Sequence, residues 1–234
     1  MGEVDGAGQL SDAGLTAGPT DSPDAAAAKR IVEQGYDRVA ERHAAWAAAI
    51  RQDERLRYVH ELLDRLPEGA RVLELGCGQG IPTTRLLAER FSVIGVDISA
   101  AQLAFAQRDV PNATFVHADM VSVTFPPQSF DGIAAFFSLI HVPRGEHAAL
   151  LERIAGWLRP DGLLVAAMGA RDNPGEVEDD WLGAPMFFSH WDTATNRRLV
   201  EESGLRILSA REETADEDGA PITFLWVVAE KPRD

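Results

Sequence analysis

A chain of 234 residues suits one domain of ordinary size with a large core, and leaves little room for a second complete domain. Its formal net charge of −15, with Lys and Arg scattered along the chain, argues against a nucleic-acid partner and leaves a small molecule as the expected one. The single cysteine, Cys77, excludes an internal disulfide and fits a reducing, cytoplasmic setting. The longest apolar stretch, around residues 132–142, falls well short of the ~18 residues that span a bilayer, and the N-terminus lacks a basic-then-apolar signal pattern, so no membrane partner is expected.

In chain order, residues 1–24 mix Gly, Ala, Ser, Asp and Pro with almost no large apolar side chains, which predicts a disordered tail. From Ala25 the pattern is helical, with Ile31, Tyr36, Val39, Ala40 and Trp46 on one face, and a second helix is predicted over about Glu54 to Leu66. Then comes VLELGCGQG, Val72 to Gly80: an apolar strand that ends in a carboxylate, Glu74, and runs into Gly76, Gly78 and Gly80. Glycines there let backbone turn sharply and approach a ligand closely. A helix opening at about Pro82 turns its positive end towards that loop, so the loop is expected to hold a polar or anionic group.

The next strand, FSVIGVDIS, ends in Asp97, about twenty residues past the middle glycine, the position from which an acid accepts both ribose hydroxyls. The pair reads as a nucleoside site at the ends of two neighbouring parallel strands. After a helix, ATFVHADM brings a third strand ending at Asp119 and Met120, and FDGIAAFFSLIHVP a fourth with its exit loop. Asp131 begins that strand, and Phe137, Ser138, Leu139 and His141 follow its far end, the edge at which open α/β sheets bind ligands. HAALLERIAGWLRP is an amphipathic helix stopped by Pro160, and DGLLVAAMG a fifth strand. Residues 170–191, rich in Pro, Gly, acids and aromatics, read as a loop or short helical insert over the pocket. A capped helix ending at Gly204 and two closely spaced strands, joined by an acidic turn around Asp218 and Gly219, predict an antiparallel pair.

The glycine spacing separates two nucleoside families. Ile81 stands where a dinucleotide fingerprint has its last glycine, whereas E-x-G-x-G-x-G resembles the first motif of class I S-adenosylmethionine-dependent methyltransferases, small-molecule enzymes of the "type 11" kind. The resemblance runs from about Tyr36 through LRPDGLLV into the final strand. It implies an α/β fold: a Rossmann-like seven-stranded, mostly parallel sheet with helices on both faces and an antiparallel last strand. It also implies one methyltransferase domain over residues 25–234, with residues 25–68 forming lid helices, and S-adenosyl-L-methionine as cofactor, leaving S-adenosyl-L-homocysteine as product.

By that resemblance Asp119 accepts a hydrogen bond from the adenine amino group and Met120 lies against the ring. YDRVAERH, Tyr36 to His43, resembles a Y-D-x-x-A-x-x-Y helix that covers the pocket, with His43 replacing the second tyrosine. Tyr36, Glu74, Gly76, Cys77, Gly78, Gly80, Asp97, Ile98, Asp119, Met120, Phe137 and Ser138 are therefore assigned to the cofactor, Cys77 being a small packed residue rather than a catalytic thiol.

Methyl transfer from a sulfonium needs alignment more than acid–base chemistry, but a hydroxyl acceptor must lose a proton. His141 is the candidate catalytic base or substrate contact. His190, for which Asp192 is a candidate orienting partner, is a second pocket histidine, while His60, His117 and His147 read as surface or scaffold residues. Trp181, Met186, Phe187 and Trp191 offer a wall for a flat or greasy acceptor. The run Glu176, Glu178, Asp179, Asp180 lacks the turn and alternation of a calcium loop, and no metal is expected. The expected activity is methyl transfer to a small acceptor, preferably a hydroxyl of an apolar or aromatic metabolite, by a monomer or homodimer. N- or C-methylation and a non-catalytic cofactor-binding protein stay open, and a nucleic-acid methyltransferase is disfavoured by charge.

Overall fold

The run RVLEL forms strand β1 (Arg71–Leu75), four of whose five residues are buried, because apolar side chains on both faces require cover on both faces. The same pattern gives β2 (Ser92–Asp97), β4 (Phe130–Ala135) and β5 (Leu158–Gly169), while β3 (Thr114–His117) is a half-exposed edge strand; helices α3 (Thr83–Ala88), α4 (Ala100–Asp109) and α5 (His147–Trp157) lie between the strands. Ahead of these lie α1 (Ala25–Ala47) and α2 (Gln52–Arg65), and after them β6 (Asn173–Trp181), β7 (Ala184–His190), α6 (Thr193–Glu202), β8 (Arg206–Glu217) and β9 (Ala220–Glu230). The computed structural model describes residues 23–47, 52–217 and 219–233. The expected tail lies almost wholly outside them, as does Asp218. Asp24 is an exception: its carboxylate accepts the Ala27 N–H at 2.7 Å and so caps α1.

Seven strands form one sheet in the order β3-β2-β1-β4-β5-β9-β8. The first five are parallel and β9 is antiparallel to both neighbours, which is the expected fold. The strand order reverses at β1, whose neighbours are β2 and β4, and such a switch point opens a crevice at the C-terminal strand ends. One face of the sheet packs Leu150, Leu151 and Ile154 of α5 against Ile133 of β4 and Leu164 of β5. On the other face Tyr58 of α2 stacks on Trp226 of β9 with ring centres 4.3 Å apart, beside Leu62 and Leu87.

Two expectations need correction. Residues 170–191 contain an antiparallel hairpin, β6 paired with β7, rather than a loop or helix. Its turn places Leu182 and Gly183 at φ 51° and 92°, between the paired Trp181 and Ala184. Two positive φ values suit the strand twist, but Leu-Gly lacks the Asn-Gly signature that announces such turns. Asp131 accepts the Arg71 N–H and pairs with Arg159 at 2.6 Å, which fixes it at the N-terminal edge of the sheet, away from the crevice.

Candidate active site

A cavity of about 560 Å³ opens at the ends of β1, β2 and β4. The chain leaves β1 with Gly76 at φ 73°, where a Cβ would stand 2.2 Å from Cβ of Ser138. Only glycine satisfies both the backbone and that contact. Ser138 is held there because its hydroxyl donates to the Leu75 carbonyl at 2.7 Å. Asp97 is buried, and each carboxylate oxygen accepts one backbone N–H, from Gly78 at 2.7 Å and from Ser99 at 2.9 Å. These bonds fix the carboxylate at the cavity wall with lone pairs left over, as a vicinal diol requires. Burial pushes its pKa up, against the pull of the Ser99 and Gly78 donors.

Glu74 is also buried and accepts the Thr84 hydroxyl at 2.5 Å. Burial pushes it up to about 8, opposed by that hydrogen bond and by Arg55, so it changes charge near neutrality. Asp119 accepts the Val121 N–H at 2.8 Å through one oxygen, and through the other meets Lys29 of α1 at 2.9 Å. Met120 lines the cavity beside it. A fixed acceptor next to an apolar plate is the donor set a flat heterocycle with an amino group needs, so these residues fit an adenosine-bearing cofactor.

Helix α1 roofs the cavity, and its own polar residues pin it in place. Asp37 accepts from the Ser99 hydroxyl at 2.6 Å and the Ala101 N–H at 3.0 Å, joining α1 to the start of α4, where Ser99 is the N-cap. Gln79 reaches from the glycine loop to the Ala40 carbonyl at 2.6 Å. Docking in this way carries Tyr36 and His43 over the site. His43 accepts from the Gln102 amide at 3.1 Å and is lowered to about 4 by burial and by Arg55, so it is neutral.

A second cavity, also about 560 Å³, adjoins the first, and the two share Tyr36, His43, Arg55, Phe137 and His141. Its walls come from distant segments: Trp46 of α1, Trp181 and Phe188 of the hairpin, and Phe224 of β9. Trp181 meets Tyr36, His43 and Trp46 at ring-centre distances of 5.4, 5.8 and 5.7 Å. At the shared mouth Phe137 has φ 57°, an uncommon conformation for a bulky residue, and the Arg55 guanidinium lies 5.0 Å from the centre of its ring.

The mouth contains a directed hydrogen-bond chain. Nδ1 of His141 lies 2.8 Å from the Phe187 carbonyl, which can only accept, so this nitrogen carries the proton. Burial lowers His141 to about 4, so the ring is neutral and its Nε2 is an acceptor. The Tyr36 hydroxyl, 2.8 Å away, donates to it. His141 is thus buried with both nitrogens engaged, and it reaches an acceptor only through Tyr36.

Of the residues assigned to the cofactor, all but Gly80 line the first cavity. Gly80, at φ 75°, instead gives room to Val110 and Ala106, either of which a Cβ would press at 3.1 and 3.4 Å. Cys77 is buried with its pKa raised by burial, an inert thiol. Trp181 and His190 line the second cavity. Met186 and Phe187 do not; they are buried beneath α1 with Ala28 and Val32. Trp191 lies outside too, donating to the Arg144 carbonyl at 3.1 Å. Asp192 does not orient His190: it caps α6 by accepting the Thr195 N–H, while His190 Nδ1 donates to the Arg171 carbonyl at 2.6 Å. Lys29, Arg55 and Phe224 are site residues that the motifs did not single out. Among the described residues no three His, Cys, Asp or Glu side chains gather as a metal site, and no helix is long and apolar enough to cross a membrane.

Comparison with known proteins agrees with this geometry. A family model described as a methyltransferase domain matches residues 72–162. A trans-aconitate 2-methyltransferase of Variovorax paradoxus is 43% identical over 122 residues, 50% of this chain and 46% of that protein, so the chain spans about half the length of such relatives. One from Delftia acidovorans is 32% identical over 194 residues, 78% of this chain and 71% of that protein. Among solved structures, a Burkholderia thailandensis 1,6-didemethyltoxoflavin-N1-methyltransferase with bound 1,6-didemethyltoxoflavin and S-adenosylhomocysteine superposes with a TM-score of 0.65 at 21% identity, over 92% of this chain and 93% of that one. With a relative of this identity and coverage, the glycine loop on β1, the Asp97 carboxylate at the end of β2 and the sheet order have one account: the chain belongs to the class I S-adenosylmethionine-dependent methyltransferases.

Proposed function

We propose that the protein transfers a methyl group from S-adenosylmethionine to a small acceptor, with the cofactor in the first cavity and the acceptor in the second. The observation that carries this reading is the shared mouth of Tyr36, His43, Arg55, Phe137 and His141, where a methyl donor on one side would face a nucleophile on the other. The bound cofactor supplies both the electrophilic methyl and its leaving group.

The residues of this chain supply the rest. Asp97, Glu74 and Asp119 anchor and orient the donor. Trp46, Trp181, Phe188 and Phe224 exclude water and hold a flat, largely apolar acceptor against the mouth. A hydroxyl acceptor is preferred, its proton leaving by way of Tyr36 and His141. A second reading is a carboxylate acceptor. It is favoured by the names of the relatives and by Arg55 and Arg171 in the second cavity, although Asp172, Glu176, Glu178 and Glu217 line it as well.

Incubation with S-adenosylmethionine and a panel of phenols and other small aromatics, following S-adenosylhomocysteine by chromatography, tests the proposal. Product that depends on an acceptor is the expected result. A folded protein that binds the cofactor and turns over none of them would favour the non-catalytic alternative.

A further inference from the structure

The two cavities meet at a hydroxyl whose hydrogen has already been spent. Reading inwards from the hairpin, the Phe187 carbonyl accepts from Nδ1 of His141, and Nε2 of His141 accepts from Tyr36. Every donor in the chain points towards Phe187. What Tyr36 offers to the shared mouth is therefore an oxygen with lone pairs and no proton. Tyr36 lines both cavities, and the rings around it, His43 at 5.1 Å and Trp181 at 5.4 Å, approach edge to face and leave its hydroxyl no second partner of their own.

We infer that Tyr36 is the residue that selects the acceptor, and that it takes a nucleophile bearing its own hydrogen, a hydroxyl or an amine, and rejects a carboxylate. This inference rests on the reading of the second cavity as the acceptor site. A hydroxyl at the mouth donates to Tyr36 and turns a lone pair towards the methyl. A carboxylate has no hydrogen to give, so its oxygen would face the Tyr36 oxygen lone pair to lone pair, and pairing with the Arg55 guanidinium would still leave the Tyr36 oxygen without a partner in a low-dielectric setting. The relatives named for trans-aconitate thus share a scaffold with this chain without fixing its acceptor.

The same chain accounts for the proton. As the new O–CH3 bond forms and the C–S bond breaks, the hydroxyl proton passes to the Tyr36 oxygen and the Tyr36 proton to Nε2 of His141. The positive charge that leaves sulfur reappears on the imidazole a short distance away, so the transfer moves a charge within the mouth, beside Arg55, without changing the total. Tyr36 touches the acceptor, and His141 is a positioning residue that acts through it, its orientation set by the Phe187 carbonyl in the middle of β7.

Three measurements on the full chain, the first with S-adenosylhomocysteine bound, test this. Nitrogen NMR of protein labelled at histidine should show His141 neutral and protonated at Nδ1 from about pH 8 to about pH 6. The titratable groups facing it are Tyr36, His43 and His190; Tyr36 and His43 keep their charge over that range, because burial raises the phenol and lowers the imidazole. An imidazolium, or a proton at Nε2, would free the Tyr36 hydroxyl to donate outwards and would overturn the inference.

Labelled S-adenosylmethionine is then offered with trans-aconitate and, separately, with the phenol panel. Label in an alkali-stable ether or amine is expected, and an alkali-labile methyl ester from trans-aconitate would overturn the selection. Tyr36→Phe should lower kcat about a hundredfold and raise the acceptor KM, with S-adenosylhomocysteine affinity unchanged. An equal loss of cofactor affinity would make Tyr36 a piece of the roof instead. Failure of the methyltransferase reading looks different: no S-adenosylhomocysteine bound and no label moved to any acceptor, whatever the tautomer of His141.

Discussion

The two cavities are equal in size and unlike in construction. The cofactor cavity is built at the ends of consecutive strands, so Glu74, Gly76, Asp97 and Asp119 each lie at or within two residues of a strand's end. The second cavity, proposed for the acceptor, is assembled from α1, α2, the hairpin and β9, whose contributing residues lie far apart in the chain. The first is a property of the sheet; the second depends on how three peripheral pieces dock. Substitutions in the first should therefore cost cofactor affinity or folding, and those in the second acceptor turnover alone.

The largest effect expected is from Gly76→Ala, which combines a left-handed backbone with an overlap on Ser138. A loss of about 3 kcal/mol, read as a lower melting temperature or abolished S-adenosylhomocysteine binding, follows from those two penalties. Next is Asp97→Ala, which removes the diol acceptor and should weaken S-adenosylhomocysteine by about 2 kcal/mol in a calorimetric titration. Unchanged affinity would place the ribose elsewhere.

The two regions also oppose each other in pH. Glu74, raised from 4.5 to about 8, binds more protons folded than unfolded across that interval, so its contribution is lost as pH rises towards 8. His43 and His141, lowered from 6.5 to about 4, bind fewer protons folded, so theirs are lost as pH falls below 6.5. Three lowered imidazoles, His147 with these two, outweigh the two raised carboxyls, Glu74 and Asp97, on the acid side. Stability of the cofactor-free protein should therefore climb to a maximum near pH 6.5 and decline beyond it, with slopes on the order of 1 kcal/mol per pH unit. Thermal melts against pH check this, and Glu74→Gln should remove the alkaline decline. The smallest effect on the fold is expected for Trp181→Ala. It should raise the acceptor KM about tenfold through lost aromatic contacts while leaving S-adenosylhomocysteine affinity intact; a matching loss of both would merge the two cavities into one site.

The same difference explains what could be read in advance. Motif spacing captured β1, β2 and β3 with their terminal acids because a parallel strand, a tight turn and a helix leave the acid little freedom in where it lies. Gly80 carries the same motif signal as Gly76, yet its role is packing against α4, a distinction that appears only when Val110 is in place. In the aromatic insert, composition marked the right segment but not its period. Trp181 and Phe188 line the cavity while Met186 and Phe187 are buried with Ala28 and Val32 of α1, a division that a period of two along the strand does not by itself produce. Arg55 and Phe224 had no local signature at all, since what makes them site residues is docking across the sheet edge.

The account's central claim is that the glycine loop and Asp97 hold S-adenosylmethionine, and it is tested most directly by calorimetric titration of the folded protein with S-adenosylhomocysteine. Saturable binding at one site per chain, weakened about thirtyfold by Asp97→Ala and untouched by Trp181→Ala, is the result predicted. A folded protein that takes up no S-adenosylhomocysteine, or one in which Trp181→Ala removes binding and Asp97→Ala does not, would contradict it.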